Sequence, residues 1–240
     1  MKQSASLPRR LLFRQMDTEK KGKTLWEMLQ DRLHGGGNGA GIAFYNPLSL
    51  NVGSAVMIPS ANGPEFADYD FSVHEIREYT RRIGTQNFTF TDYLLRGVYT
   101  KTFDASKVIT LRLRSVPNEA GAHDSLLLRL YDEFAFSEDF LSVLKDDSGT
   151  LDVEEDESDS TTTFSRINDL RESYEAAVLV VSQTRPEGKA TKSSPLKLEY
   201  WDFWRDIELG KDRSAKEFLF AEMNSDTGWF QLWRGREFFS

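Results

Sequence analysis

The 240-residue chain has no cysteine, which removes disulfides, thiolate metal sites and cysteine nucleophiles from consideration. A chain without disulfides fits a reducing compartment. Long apolar runs are missing as well. No stretch approaches the roughly 18 uninterrupted apolar residues of a membrane span. Near the N-terminus only Leu11, Leu12 and Phe13 lie together, flanked by arginines, too few for a signal-peptide core. A soluble, cytoplasmic protein is the expectation. Histidine is scarce: His34, His74 and His123 stand in no short metal-ligand spacing, and there is neither a P-loop nor a G-x-S-x-G elbow. No metal and no cofactor are expected.

What is present is a globular composition, 39% hydrophobic and 28% charged. The net charge of −8 is unevenly placed: residues 1–40 hold eight Lys/Arg against four Asp/Glu, and the rest of the chain is strongly acidic. An acidic body repels phosphate backbones, so nucleic acid is not an expected partner. The basic arm calls for an acidic protein surface, its own body first and a neighbouring copy second.

The first 40 residues read as a flexible arm. Thr24 to His34 has the pattern of a short helix, with Thr24 and Glu27 as a capping box. Leu25, Leu29 and Leu33 share one face and Trp26 flanks it. The arm's candidate contacts are Arg9, Arg10, Leu25, Trp26, Leu29 and Leu33. The basic residues precede the helix and do not line its polar face, which disfavours peripheral membrane contact. Glycines from Gly35 to Gly41 end the helix and read as a hinge. Gly35, Gly37 and Ala40 have a dinucleotide-fingerprint spacing, but the run follows a helix and enters a β region, the reverse of what that fingerprint needs.

Beyond residue 41 the period is two. Tyr69, Phe71 and Val73, then Ile109, Leu111 and Leu113, then Leu126, Leu128 and Leu130, then Phe218 and Phe220 alternate with other residues. Alternation predicts half-buried antiparallel strands, with Thr110, Arg112 and Arg114 on a wet face. Ala176–Val181 reads as a strand covered on both faces. The fold expected is mostly β: an antiparallel sandwich or partly open barrel with one short N-terminal helix. Two small β subdomains, divided near 117–124, remain open. A second helix over Ser137–Leu144 competes with a hairpin through Asp147-Ser148-Gly149.

Two triplets, Asp147-Ser148-Gly149 and Asp226-Thr227-Gly228, have the aspartic-protease pattern, in which two carboxylates share a proton. Polar residues precede both, where a catalytic pair needs dry strands, so turns are expected instead. The acidic run Asp152, Glu154, Glu155, Asp156, Glu157, Asp159 has oxygen ligands for a hard cation but not the glycine of a calcium loop, and reads as a solvated loop.

The densest feature is aromatic. Tyr200, Trp201, Phe203, Trp204, Phe218, Phe220, Trp229, Phe230 and Trp233 crowd the C-terminus. Alternation sends Tyr200 and Trp204 to one face and Trp201 and Phe203 to the other. Either both faces are covered or one is a binding surface. The expectation is therefore a non-catalytic interaction or scaffold module that binds a protein partner, or itself, through Trp201, Phe203, Trp204, Trp229 and Trp233. The alternative is a hydrolase with paired carboxylates in a β cleft.

Overall fold

A computed structural model describes residues 48–83, 86–100, 108–117, 123–155, 160–167, 174–178, 180–192, 196–210 and 214–238. The basic arm, its helix 24–34 and the glycine run lie outside the described residues. The strands are β1 (Ala55–Val56), β2 (Tyr69–Ile83), β3 (Gln86–Tyr99), β4 (Val108–Pro117), β5 (His123–Ala135), β6 (Thr150–Glu154), β7 (Thr161–Arg166), β8 (Tyr174–Val178), β9 (Val181–Gln183), β10 (Thr191–Lys192), β11 (Leu196–Glu208), β12 (Ser214–Asn224) and β13 (Trp229–Glu237). One helix, α1 (Glu138–Leu144), and two 3-10 turns, Ser60–Asn62 and Pro64–Asp68, accompany them. The Ser137–Leu144 segment is thus helical. Ser137 Oγ accepts from the Phe140 N–H at 3.2 Å, and Glu138 and Asp139 sit in the first turn. Among the described residues no helix is long and apolar enough to cross a membrane.

The hydrogen-bonded order is β10-β9-β2-β3-β4-β5-β13-β12-β11-β7-β6, with β1 on β2 and β8 on β11. The fold is mostly antiparallel β in one large sheet, and the pairing curls it into a partly open barrel. β8 pairs with β11 from Leu196↔Val178 to Tyr200↔Tyr174. β9 follows β8 in the chain and pairs with β2 from Ile76↔Gln183 to Glu78↔Val181. β8 and β9 therefore sit at the two ends of the long-strand sheet. Of the apolar run at 176–181, Ala176–Val178 belong to β8 and Val181 to β9. Residues 117 and 123 are paired across β4 and β5, so the segment between them links neighbouring strands of this one sheet.

Side chains confirm the curl. Arg112 on β4 and Glu222 on β12 have two strands between them. Three strand spacings are about 14 Å along a flat sheet. Yet Arg112 Nη1 donates to Glu222 Oε1 at 2.7 Å, which requires the sheet to curl around that contact. An eight-stave barrel leaves an interior just wide enough for side chains to fill.

That interior overturns the wet-face expectation for Arg112 and Arg114. Both are buried, with Asp92, Glu222, Arg81 and Asp202. Arg114 grips Asp92 with a two-pronged fork, Nε to Oδ1 at 2.9 Å and Nη2 to Oδ2 at 3.0 Å, and reaches Glu222 Oε1 at 3.0 Å. Arg112 lies 3.4 Å from Asp92 Oδ2. Arg81 Nη1 donates to Asp202 Oδ2 at 2.6 Å, across from β2 to β11. Within this set three guanidiniums face three carboxylates in close pairs. Aromatic faces cover the cations: Arg112 over Trp233 at 3.8 Å, Arg114 over Phe90 at 4.4 Å and Phe220 at 5.1 Å, and Arg81 over Tyr200 at 4.7 Å. An alternating pattern cannot separate an inward arginine from a wet one.

The outer faces carry two covers. The segment from Leu48 to Asp68 packs Ile58 and Phe66 on Phe71, Val73, Ile76, Tyr93, Leu95, Leu111, Leu113 and Leu127. On the opposite flank α1, β6 and β7 place Phe140, Leu144, Leu151, Val153 and Phe164 on Trp201, Phe203, Leu219, Phe230 and Leu232.

Burial alone would raise the pKa of Glu222, but the charges and hydrogen bonds of Arg112 and Arg114 outweigh it and hold the carboxyl below its ordinary value. A carboxyl with a depressed folded pKa stabilises fully above its unfolded value, about 4.3, and less as pH falls through the folded one. Stability to denaturant is therefore expected to drop below about pH 4, and Glu222→Gln flattens that limb. Arg112→Met leaves Glu222 short of one cation and is expected to cost about 3–5 kcal/mol at pH 7. A loss under about 1 kcal/mol in urea unfolding contradicts the assignment of Arg112 to a buried ion cluster.

Candidate functional site

The aromatic residues singled out by sequence do come together, but most of them in the core. Trp201 (2% exposed) and Phe203 (0%) face outward under α1, β6 and β7; Trp233 (4%) faces inward over Arg112. Trp204 is half-buried, with the Lys216 ammonium 3.4 Å from its ring centre. Burial holds the Lys216 ammonium below its ordinary pKa. The Tyr200/Trp204 and Trp201/Phe203 split across β11 is as the alternation predicts. Both faces are covered, which is why both are aromatic: one side packs the outer cover and the other shields guanidiniums. Trp229 (47% exposed) remains at the surface. Nearby Phe136 (46%) stacks at 6.2 Å on Phe230.

The two Asp-x-Gly triplets are turns. Asp226-Thr227-Gly228 joins β12 to β13, with Gly228 at φ +68° and its N–H donating to Asn224 O at 2.7 Å. The other differs from the expected hairpin: it leads from α1 into β6, because the preceding residues are helical. Just before it, the Asp146 carboxylate accepts the Ser148 N–H at 2.8 Å and is thereby held below its usual pKa. Asp147 and Asp226 are both exposed, whereas a shared-proton pair needs a dry site.

The acidic run is divided. Asp152 is buried and accepts from Thr163 Oγ1, and Glu155 pairs with Arg234 at 2.8 Å. Burial alone would raise the Glu155 pKa, but Arg234 and Thr162 bring it below its ordinary value. Asp156, Glu157 and Asp159 lie outside the described residues. Among the described residues no three His, Asp or Glu are placed to hold a metal ion. His74 is exposed and borders a 260 Å³ hollow with Leu94, Arg96, Val108 and Thr110; His34 lies outside the described residues, as does the His123 side chain.

A groove of about 640 Å³ lies on the outer wall beside the N-terminal cover. Asn62 to Phe66 form one bank. The floor and far bank come from Leu127, Arg129 and Tyr131 of β5, Ile207 of β11, Glu217 of β12, and Arg234 and Arg236 of β13. A bulge between Leu232 and Trp233 shifts the β5–β13 register there. At Gly235 the strands approach so closely that a Cβ would lie 1.9 Å from Leu127 O, so glycine is required for this seam. Arg234 donates to Glu217 (Nε to Oε1, 2.9 Å) and to Glu155 (Nη1 to Oε2, 2.9 Å). Arg236 Nη2 donates to Ala61 O at 3.0 Å and ties the N-terminal bank to β13. Sequence reading did not single out these arginines, because each alternates with core residues as an ordinary wet-face charge does. The groove becomes visible only when the N-terminal cover is in place.

No known protein family, curated protein or solved structure matches the chain.

Two tryptophans separate core from surface. Trp201→Ala is expected to cost about 3–5 kcal/mol, the usual range for a buried aromatic. Trp229→Ala is expected to cost under about 1 kcal/mol. Urea unfolding of both variants checks this; equal losses contradict the placement. Burial raises the Tyr200 phenol well above its ordinary pKa, and its oxygen has no hydrogen-bond partner. Such a phenol stabilises below the unfolded value of about 10 and loses that contribution as pH rises through the folded one. Tyr200→Phe is therefore expected to match the parent at pH 7 and to resist alkaline unfolding better, as followed by circular dichroism.

Proposed function

We propose that the chain is a non-catalytic binding module, a filled barrel that presents the groove on the outer wall of β5, β13, β12 and β11. One observation carries this reading. The groove, of about 640 Å³, combines apolar walls from Phe66, Leu127 and Ile207 with a few polar groups, the usual make-up of a ligand site. The barrel interior holds paired charges. The carboxylates of Asp92, Asp202 and Glu222 are each engaged by arginine. A hydrolase needs one acid poised to give up a proton near neutral pH. Glu222, with its depressed pKa, is shifted the wrong way for a general acid.

Protein partners were expected at the aromatic sheet. With Trp201, Phe203 and Trp233 buried, the surface that remains for a partner on the same strands is the groove and the exposed Trp229.

Crystals soaked with a set of neutral aromatic and aliphatic fragments test the groove. Density is expected against Phe66, Leu127 and Ile207, and it is expected to vanish in Ile207→Trp, which fills the hollow from a half-buried position. Fragments that gather elsewhere, or bind Ile207→Trp unchanged, overturn the proposal.

A further inference from the structure

The charge pattern of the groove defines the ligand class. On the β5–β13 seam Arg129 stands directly opposite Arg234. Like charges facing each other across two strands repel. Arg234 is relieved by Glu217 and Glu155. Arg129 is not: it is exposed, and among the described residues no acid lies within ion-pair distance of it. Arg236, two residues along β13 from Arg234, stands opposite Glu217 of β12 but donates to the Ala61 carbonyl, and among the described residues it is in no ion pair. Two guanidiniums outside any described ion pair, Arg129 and Arg236, thus line the groove.

Resting on the groove being a binding site, we infer that it takes a small organic anion: a carboxylate or a phosphate monoester on a small aromatic or aliphatic body. The guanidinium fork of Arg129 matches two oxygens of such a head group. Arg236 supplies a second set of donors while its link to Ala61 O holds the bank in place. Phe66, Leu127 and Ile207 receive the apolar body. Glu65 and Glu217 are also on the lining, and their charge opposes polyphosphates and nucleic acid. A volume of about 640 Å³ suits a small molecule and not a folded partner.

Matched probes test this by calorimetry on the full chain: benzoate, 3-phenylpropionate, octanoate and phenyl phosphate, the three carboxylates each with its primary amide, and inorganic phosphate. The acids are expected to bind about tenfold or more tightly than their amides, as loss of one charge-assisted contact predicts. Arg129→Met is expected to remove that preference, Arg129→Lys to keep part of it, and both to leave the urea midpoint unchanged. Carboxylates binding ahead of phenyl phosphate, or the reverse, assigns the head group. Inorganic phosphate alone is expected to bind weakly, for want of a body. If amides bind as tightly as acids and Ile207→Trp abolishes both, the groove is a binding site and the anionic ligand is wrong. If none of the probes binds, the groove reading falls together with this inference. If acids bind but Arg129→Met does not weaken them, the assignment of the head group to Arg129 is overturned.

Discussion

The buried ion cluster is the constraint on which the structure rests. Arg112, Arg114, Asp92 and Glu222 meet inside the barrel, and Arg81 meets Asp202 at its seam. Taking these charges out of water costs several kcal/mol each, and only close pairing offsets that. The strands that carry them cannot slide by one residue, because a slip would turn every partner to the other face. The cluster therefore fixes register across the barrel as well as between neighbours. Aromatic rings supply what pairing leaves undone, capping guanidinium faces that would otherwise meet bare hydrocarbon.

An interior filled with paired charges and rings moves recognition to the outside. The N-terminal segment seals β2 to β5, and α1 with β6 and β7 seals β11 to β13. The groove lies beside the first of these seals. Its floor is the reverse side of the strands that hold the ion cluster, so its arginines stand on a rigid wall. Arg234 is tied down by two acids, and Arg236 joins the wall to the N-terminal bank. Arg129 has no such tie, and that difference separates a structural arginine from one available to a ligand.

Much of the fold was legible in the sequence, because strands write their period directly into it. The Phe218/Phe220 alternation and the Gly228 turn fall where the residue types placed them, and of the two readings of Ser137–Leu144 the helix is the one found. The cluster was not legible. Arg112 and Glu222 are 110 residues apart, and an alternating charge looks the same whether it points to water or into a barrel. β8 and β9 pair at opposite ends of the long-strand sheet, which an apolar run at 176–181 does not announce. The aromatic crowd was read as either core or surface, and the choice turned on covers supplied by distant segments. The groove was invisible for the same reason: its banks come from residues 62–66 and from β5, β11, β12 and β13, and no local motif links them.

The claim that the barrel interior is sealed, with recognition left to the outer wall, is tested most directly by native-state hydrogen exchange. Amides of residues 111–115 and 218–222 flank the buried arginines and Glu222. They are expected to exchange only through global unfolding, with a denaturant dependence equal to that of the whole chain. Exchange of these amides through low-energy, denaturant-independent openings would mean that water reaches the charged interior in the native state, and the account of a closed core would be wrong.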